Sequence, residues 1–358
     1  MPEKHTALVI GGGIAGLQAS LDLANNGFQA YIIEKKPELG GTLKSLSKLF
    51  PTMQDSEETL APLLEQVASN QSIKTLTQAE VLSIQGSIGD FKAKIGRTGN
   101  SATPIVEVEL KADVIIVATG FRQYDAQKLG QYKYGQHRNV ITGLEYEAMC
   151  KPNGPTGGKI LLPDNGQKPK SVAFILCAGS RDEKHLRYCC TLGCLNAIKH
   201  AHLLREQYSK EVDIYVCYID VRAVTKNGEQ MYNRVRDEEV EFIHGQPSEV
   251  RQAPDGTLTL DVYDQATSKL LSITADLIVL EMGLPPNTDI AEKLGLKLTE
   301  DNFIEEKDAQ LHASETATEG VYLAGAVQQQ MHSYEAVASA SAAALKAISA
   351  TSEIKTRS

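Results

Sequence analysis

Residues 6 to 10 are almost wholly apolar and run straight into a cluster of glycines, after which Ile14, Leu17, Leu21 and Leu23 recur at helical spacing. The short apolar run predicts a buried strand, the recurrence predicts a helix with one apolar stripe, and Gly27 ends that helix. A second apolar run over residues 29 to 33 finishes at Glu34, so strand, helix and strand fall within about 30 residues, the size of a βαβ unit. The pattern therefore predicts a parallel sheet. Residues 112 to 118 read as another strand, closed by Thr119 and Gly120, and residues 171 to 176 as a third, closed by Ala178 and Gly179. Residues 211 to 218 and 275 to 280 continue this second unit, and 320 to 323 predicts a strand followed by Gly325 and a long helix from 334 to about 350.

These runs predict an α/β fold of two Rossmann-like dinucleotide-binding domains, the second inserted in the first. Residues 1–125 and 285–358 form the first domain and 126–284 the second. The glycine- and proline-rich stretch 152 to 169 reads as the incoming crossing, and 283 to 287 as the outgoing one.

Gly11, Gly13 and Gly16 form a G-x-G-x-x-G pattern between strand and helix. The first glycine allows the tight turn, the second admits a pyrophosphate and the third lets helix pack on strand, with the phosphate on the helix N-terminus. Ile14 and Ala15 lie inside that turn. Glu34, 18 residues after Gly16, is placed to accept from ribose hydroxyls, and its charge repels a 2′-phosphate; FAD or NAD fits, NADP does not. Three further elements choose FAD. Gly40-Gly41-Thr42 after Glu34 and Lys35, the turn Ala118-Thr119-Gly120, and Val321-Tyr322-Leu323-Ala324-Gly325-Ala326 with its following helix resemble, in order, segments of the glutathione and thioredoxin reductase type flavoproteins. Val81, His332 and Ser333 join the expected cofactor contacts. Ala326 stands where that family often has a ribityl-binding aspartate.

Composition narrows the function. The net charge of -9 disfavours nucleic acid, because too few cations remain to neutralise phosphates. No window approaches the roughly 18 apolar residues of a membrane span, and no secretion-signal pattern precedes the first strand, so we expect a cytoplasmic protein without a transmembrane segment. Partners should be small molecules or proteins. Four of the six cysteines fall between 177 and 194, and in a reducing compartment such clustering favours metal or redox chemistry over structural disulfides.

The second βαβ unit carries Cys177-Ala178-Gly179-Ser180-Arg181-Asp182 where a nicotinamide-binding unit would carry its glycines, which disfavours NAD(P)H there. Tyr188-Cys189-Cys190-Thr191-Leu192-Gly193-Cys194 follows, so four thiols lie within 18 positions, enough to ligate an iron-sulfur cluster or zinc. Cys150 and Cys217 read as small buried hydrophobes.

This segment, with Ala197-Ile198-Lys199-His200-Ala201 and Tyr218-Ile219-Asp220-Val221-Arg222-Ala223, then Glu229, Tyr232 and Arg234, resembles the flavin domain of the A-type subunit of heterodisulfide reductase over nearly the whole chain. The resemblance implies an FAD-dependent oxidoreductase subunit with a [4Fe-4S] cluster on Cys177, Cys189 and Cys194. Gly193 replaces one ligand of the family pattern, and Cys190 is the available substitute. Phe50-Pro51-Thr52 leads into Met53-Gln54-Asp55-Ser56 without the ligating cysteines of full-length members, and Gln329-Gln330-Met331-His332 stands in place of G-P-K-D near the flavin. The chain thus resembles the short forms found in heterodisulfide reductase-like complexes of sulfur-oxidising prokaryotes. That resemblance implies electron transfer between flavin and cluster, other subunits as partners and a homodimer. Two alternatives stay open: a stand-alone flavin-dependent disulfide reductase cycling Cys190 with Cys194 or Cys189 with Cys190, and an FAD-binding scaffold without turnover. Arg181, Asp182, Asp220 and Arg222 are expected to form charge pairs beside the thiols, with the capping of an element as the alternative for each.

Overall fold

The computed structural model describes residues 4–97, 105–254 and 256–357. The chain forms two compact units: residues 1–44, 57–122 and 285–358 make one, and 45–56 with 123–284 make the other.

In the first unit a five-stranded parallel sheet runs in the order Val321–Leu323, Val114–Val117, Thr6–Ile10, Gln29–Ile33, Ile73–Leu76. Strands buried on both faces need apolar residues at every position, and Ala7 to Ile10 and Val114 to Val117 supply them. The helix Ile14–Asn25 crosses one face and packs on the helix Ser333–Arg357. Ala340, Ala343, Ala344 and Ala347 are fully buried there, and their small side chains allow the two helices to approach closely. A three-stranded antiparallel sheet, Ala79–Gln85, Phe91–Arg97 and Ile105–Ala112, joins the same core, which includes Phe91, Ala93 and Ile95.

The second unit repeats the plan. Its parallel sheet has the order Val140–Thr142, Leu277–Met282, Ser171–Ala178, Asp213–Tyr218, Glu241–His244. The helices Gly143–Cys150, Gly193–Tyr208 and Gly228–Asp237 accompany it. Phe174, Leu176 and Val279 bury against Leu195, Ile198 and Tyr146 on one face. The antiparallel strands Pro247–Gln252, Leu258–Asp264 and Lys269–Ala275 bury Leu258, Leu260 and Val262 in a second core. The chain enters this unit at Ser45 and again at Gln123, so residues 152 to 169 are not the incoming crossing but a loop within it. Their glycines and prolines serve turns such as Gly154 N to Lys151 O and Gly157 N to Gly154 O. Among the described residues no helix is long and apolar enough to cross a membrane.

Candidate functional site

In the first unit, the glycines after Thr6–Ile10 are fixed by close approach. Gly11 has a φ of 112°, and a Cβ there would run into the Ala118 carbonyl, so the phosphate loop lies against the Ala118-Thr119-Gly120 turn. Gly41, at φ 59°, would bring a Cβ within 2.8 Å of Gly13 Cα, and Gly40 N donates to Gly12 O at 2.8 Å. The two glycine motifs, far apart in the chain, therefore form one surface.

Glu34 fastens it. One carboxylate oxygen accepts from Gly12 N at 2.7 Å and the other from Lys36 N at 2.8 Å. The turn at Thr119 is tied through its hydroxyl to Asn287 O at 2.6 Å, and Asn287 Nδ2 returns a bond to Thr119 O at 2.9 Å. Around these residues opens a cleft of about 300 Å3, within the range of cofactor sites.

Gly11, Gly13, Glu34, Lys35, Gly41, Thr42, Val81, Ala118, Thr119 and Gly120 line the cleft together. Ile14, Ala15 and Gly16 form the first turn of the helix behind it. Gly325, Ala326, His332 and Ser333 do not line it. Gly325 N donates to Ser339 Oγ at 3.1 Å, and the His332 ring stacks on Tyr334 with centroids 5.5 Å apart. Phe121, Asn287, Asp289 and Lys293 line the cleft outside what the glycine pattern marks; Phe121 follows the Ala118-Thr119-Gly120 turn, and the other three arrive with the chain that returns after Pro285-Pro286. A glycine cradle that side chains would fill, with a clamped carboxylate at its edge, fits an adenine dinucleotide.

In the second unit Cys177, the last residue but one of the strand Ser171–Ala178, has φ 56°, and Arg181 and Thr191 also take positive φ at 57° and 61°. Three left-handed non-glycine residues in one segment, each costing about 1–3 kcal/mol, mark a turn held by its surroundings. Ser180 Oγ donates to Tyr188 O at 2.7 Å and Arg181 N to the same carbonyl at 3.1 Å, which brings Cys189 back to Cys177. Cys177, Cys190 and Cys194 are buried and Cys189 half-buried.

Cys189 lies within electrostatic reach of the other three thiols. Its sulfur shares a hydrogen bond with Cys190 and accepts from Thr191 N at 3.3 Å; Arg222 and Arg181 add positive charge. These interactions lower its pKa to about 5, with the Cys190 bond the largest cause. The same bond, and then burial, push Cys190 well up. Burial raises Cys177 and takes Cys194 to about 12. The pocket thus holds one ready thiolate among thiols that stay protonated unless a cation replaces their protons. Gly193 N donates to Cys190 Sγ at 3.3 Å, and a Cβ on Gly193 would stand 2.9 Å from that sulfur.

Asp220 pairs with Arg181 and, at 3.3 Å, with Arg222; burial raises its pKa, but bonds from both guanidiniums outweigh this and lower it. Asp182 stays out of this group and caps its own turn through Lys184 N at 2.8 Å, because its side chain follows the reversal at Arg181. Among the described residues no group of three or more His, Cys, Asp or Glu side chains is disposed to hold a single metal ion. The four thiols are soft donors within electrostatic reach of one another, and backbone N–H groups donate to two of them, the chemistry an iron-sulfur cluster would draw on. Cys150 and Cys217 stand apart, and burial raises both.

Sheet order, phosphate turn and clamped acid define a dinucleotide-binding oxidoreductase fold. The chain belongs to the pyridine nucleotide-disulphide oxidoreductase family of FAD-dependent oxidoreductases, whose model matches residues 5–151 and 206–344. It is 36% identical over 95% of its length to the A-type subunit of the H(2):CoB-CoM heterodisulfide,ferredoxin reductase of Methanothermobacter marburgensis. It is 34% identical over 96% of its length to an A-type iron-sulfur subunit of the CoB--CoM heterodisulfide reductase of Methanopyrus kandleri. The chain spans 63% and 64% of these two relatives. Its fold is similar to the thioredoxin reductase of T. acidophilum, with a TM-score of 0.66 at 19% identity over 96% of this chain and 98% of that one. The Lactococcus lactis thioredoxin reductase gives the same TM-score at 18% identity, covering 98% of this chain and 100% of that one.

Proposed function

We propose that the chain is an FAD- and iron-sulfur-containing electron-transfer subunit of a heterodisulfide reductase-like complex, with FAD in the first unit and a [4Fe-4S] cluster in the second. When bound, the flavin would supply two-electron chemistry and the cluster one-electron transfer. The observation that carries the reading is the convergence of Cys177, Cys189, Cys190 and Cys194 where a nicotinamide site would otherwise have its glycines. Cys189 enters as a thiolate, Thr191 N and Gly193 N orient two of the sulfurs, and Arg181 and Arg222 offset the negative charge that four thiolates bring.

Gly11, Gly13 and Gly41 would receive the pyrophosphate, Glu34 the adenosine ribose, and Val81 with Lys35 the edge of the adenine pocket. Gly325, Ala326, His332 and Ser333 are assigned to the flavin end. Other subunits belong to the same proposal, supported by the relatives' names as subunits of heterodisulfide reductases; sulfur metabolism and a homodimeric state are inferred from the resemblance to the short forms alone. One observation favours a second reading, the stand-alone disulfide reductase: the Cys189 thiolate is hydrogen-bonded to Cys190, as a redox-active pair would be.

The deciding experiment is anaerobic purification with flavin, iron and acid-labile sulfide quantitation. About one FAD and four irons per chain, with iron lost in Cys189→Ala, support the subunit reading. FAD without iron, and thiols that titrate as a reversible dithiol, support the disulfide reductase instead.

A further inference from the structure

In the second unit Glu147, Lys199, His200 and Glu281 form an ionisable group almost sealed from solvent, with none more than 3% exposed. His200 is held at both ring nitrogens: Nδ1 lies 2.8 Å from Glu281 Oε1 and Nε2 2.7 Å from Glu147 Oε1. Lys199 pairs with Glu147 and donates to Lys48 O at 2.9 Å, and Ser47 gives Glu147 Oε2 its backbone N–H at 2.8 Å and its hydroxyl at 2.7 Å. A neutral imidazole has one donor and leaves one carboxylate unserved, whereas the imidazolium serves both and balances two carboxylates against two cations. Neither the thiol pocket nor the dinucleotide cleft uses this group.

Its place in the fold links it to the thiols. The point where a Cβ on Gly193 would stand is 2.9 Å from the Cys190 sulfur and 3.6 Å from Glu281 Cβ, so the thiol and the Glu281 methylene flank the same glycine while the Glu281 carboxylate turns toward Gly143 and His200. From Glu281 the hydrogen bonds lead through His200 and Glu147 to Ser47, two residues from the exposed Ser45.

We propose that His200 is the proton partner of the redox centre at the cysteines, gaining one proton when that centre gains one electron and losing it on reoxidation. The inference rests on the cluster reading. A reduced flavin would supply the electron, and the proton would reach the ring on the side of Glu147, the carboxylate that Ser47 holds; imidazole becomes imidazolium and no bond to sulfur changes. An added negative charge in a low-dielectric interior favours a proton nearby, and by linkage the proton favours the electron equally.

The groups facing the ring are Glu281 from the strand Leu277–Met282 and Glu147 from the helix Gly143–Cys150, with Lys199 beside it in its own helix. The Tyr146 ring packs on the imidazole with centroids 4.7 Å apart while its hydroxyl donates to the His200 carbonyl, and the Cys150 thiol lies beside Glu147 and Lys199. Burial pulls the His200 pKa down, but Glu281 and Glu147 together raise it above 6.5. The coupling is therefore expressed on the alkaline side of that value, where the resting ring has begun to lose its proton.

The test is an EPR-monitored redox titration of the anaerobically purified protein from about pH 6 to about pH 9, with His200→Gln and Glu281→Gln alongside and iron assayed in every sample. In the wild type the midpoint potential should fall with rising pH, approaching about 59 mV per tenfold change in proton activity for a one-electron couple. His200→Gln should show no slope at equal iron content. Glu281→Gln keeps the ring and its shape, and should move the sloping region to lower pH. Reduced-minus-oxidised infrared spectra should show imidazolium bands in the wild type, and these carry the test with Glu281→Gln if His200→Gln does not fold. Equal slopes in wild type and His200→Gln, or a flat wild type, overturn the proposal and leave the cluster standing. A wild type without iron overturns the cluster reading and this proposal with it, and the iron assay tells the two failures apart.

Discussion

The Cys190 sulfur stands 2.9 Å from where a Cβ on Gly193 would be, so this thiol fills the space left by the missing side chain. If Cys190 is the ligand that Gly193 cannot be, the two positions should be exchangeable. Cys190→Ala alone should weaken cluster retention by roughly tenfold or more, and Cys190→Ala combined with Gly193→Cys should regain it. Iron and acid-labile sulfide per chain measure both; full retention in Cys190→Ala would falsify the ligand assignment.

Cys189 should be the only readily alkylated thiol of the cluster-free protein in mild acid. Its pKa is lowered to about 5, whereas Cys194 is raised to about 12 and Cys177 and Cys190 are raised too. Iodoacetamide labelling mapped by mass spectrometry should reach half its maximal rate near pH 5 at Cys189. Equal labelling of Cys189 and Cys194 at neutral pH would contradict the pocket's electrostatics.

Stability should depend on pH through the buried ionic group, with opposite signs at its two ends. Burial raises the Glu147 pKa, but Lys199 and His200 outweigh it and hold the carboxyl far below its ordinary 4.5. Its contribution is complete above pH 4.5 and is lost as pH falls toward the folded value. The His200 pKa is raised from 6.5, so its contribution is complete below pH 6.5 and is lost as pH climbs through the folded value. Denaturant melts should give a maximum between these limits, and Glu147→Gln, which leaves Lys199 underpaired, should lose about 3–5 kcal/mol. A variant as stable as wild type at every pH would show that the group contributes nothing.

Glu34 should matter to the dinucleotide twice, as ribose acceptor and as the clamp on Gly12. Glu34→Gln keeps the shape, but its amide side has no acceptor for Gly12 N or Lys36 N, each within 2.8 Å of the native carboxylate. A charge-assisted bond of about 1.5–3 kcal/mol corresponds to a loss of roughly tenfold or more in FAD affinity, measurable by flavin fluorescence on reconstitution. Unchanged affinity would mean that the adenosine binds elsewhere.

The parallel sheets were legible because strands buried on both faces are continuous apolar runs, as at Thr6–Ile10 and Ser171–Ala178. The antiparallel strands carry a weaker signal. Phe91, Ala93 and Ile95 alternate with Lys92 and Lys94, a period-two pattern that a search for βαβ units passes over. In the cleft, Gly11 and Glu34 announce themselves by spacing, but Asn287 and Lys293 arrive by chain return across long separations, and only tertiary structure brings them in. The thiols were legible as a cluster. Cys190 as substitute for the ligand missing at Gly193 came from the resemblance, but the contact of its sulfur with Gly193 was not legible, because it depends on the left-handed turn at Thr191. The Glu147, His200 and Glu281 group was invisible, since each residue alone reads as a surface charge.

We propose that this chain passes electrons between a flavin and a cysteine-bound cluster. Freeze-quench EPR after rapid anaerobic reduction of the flavin, set against flavin absorbance on the same timescale, tests it most directly. A cluster signal should grow as the reduced flavin is reoxidised, and Cys189→Ala should keep its FAD but show no such signal. A wild-type protein that binds iron yet holds its electrons on the flavin, or that binds FAD and no iron, would contradict it.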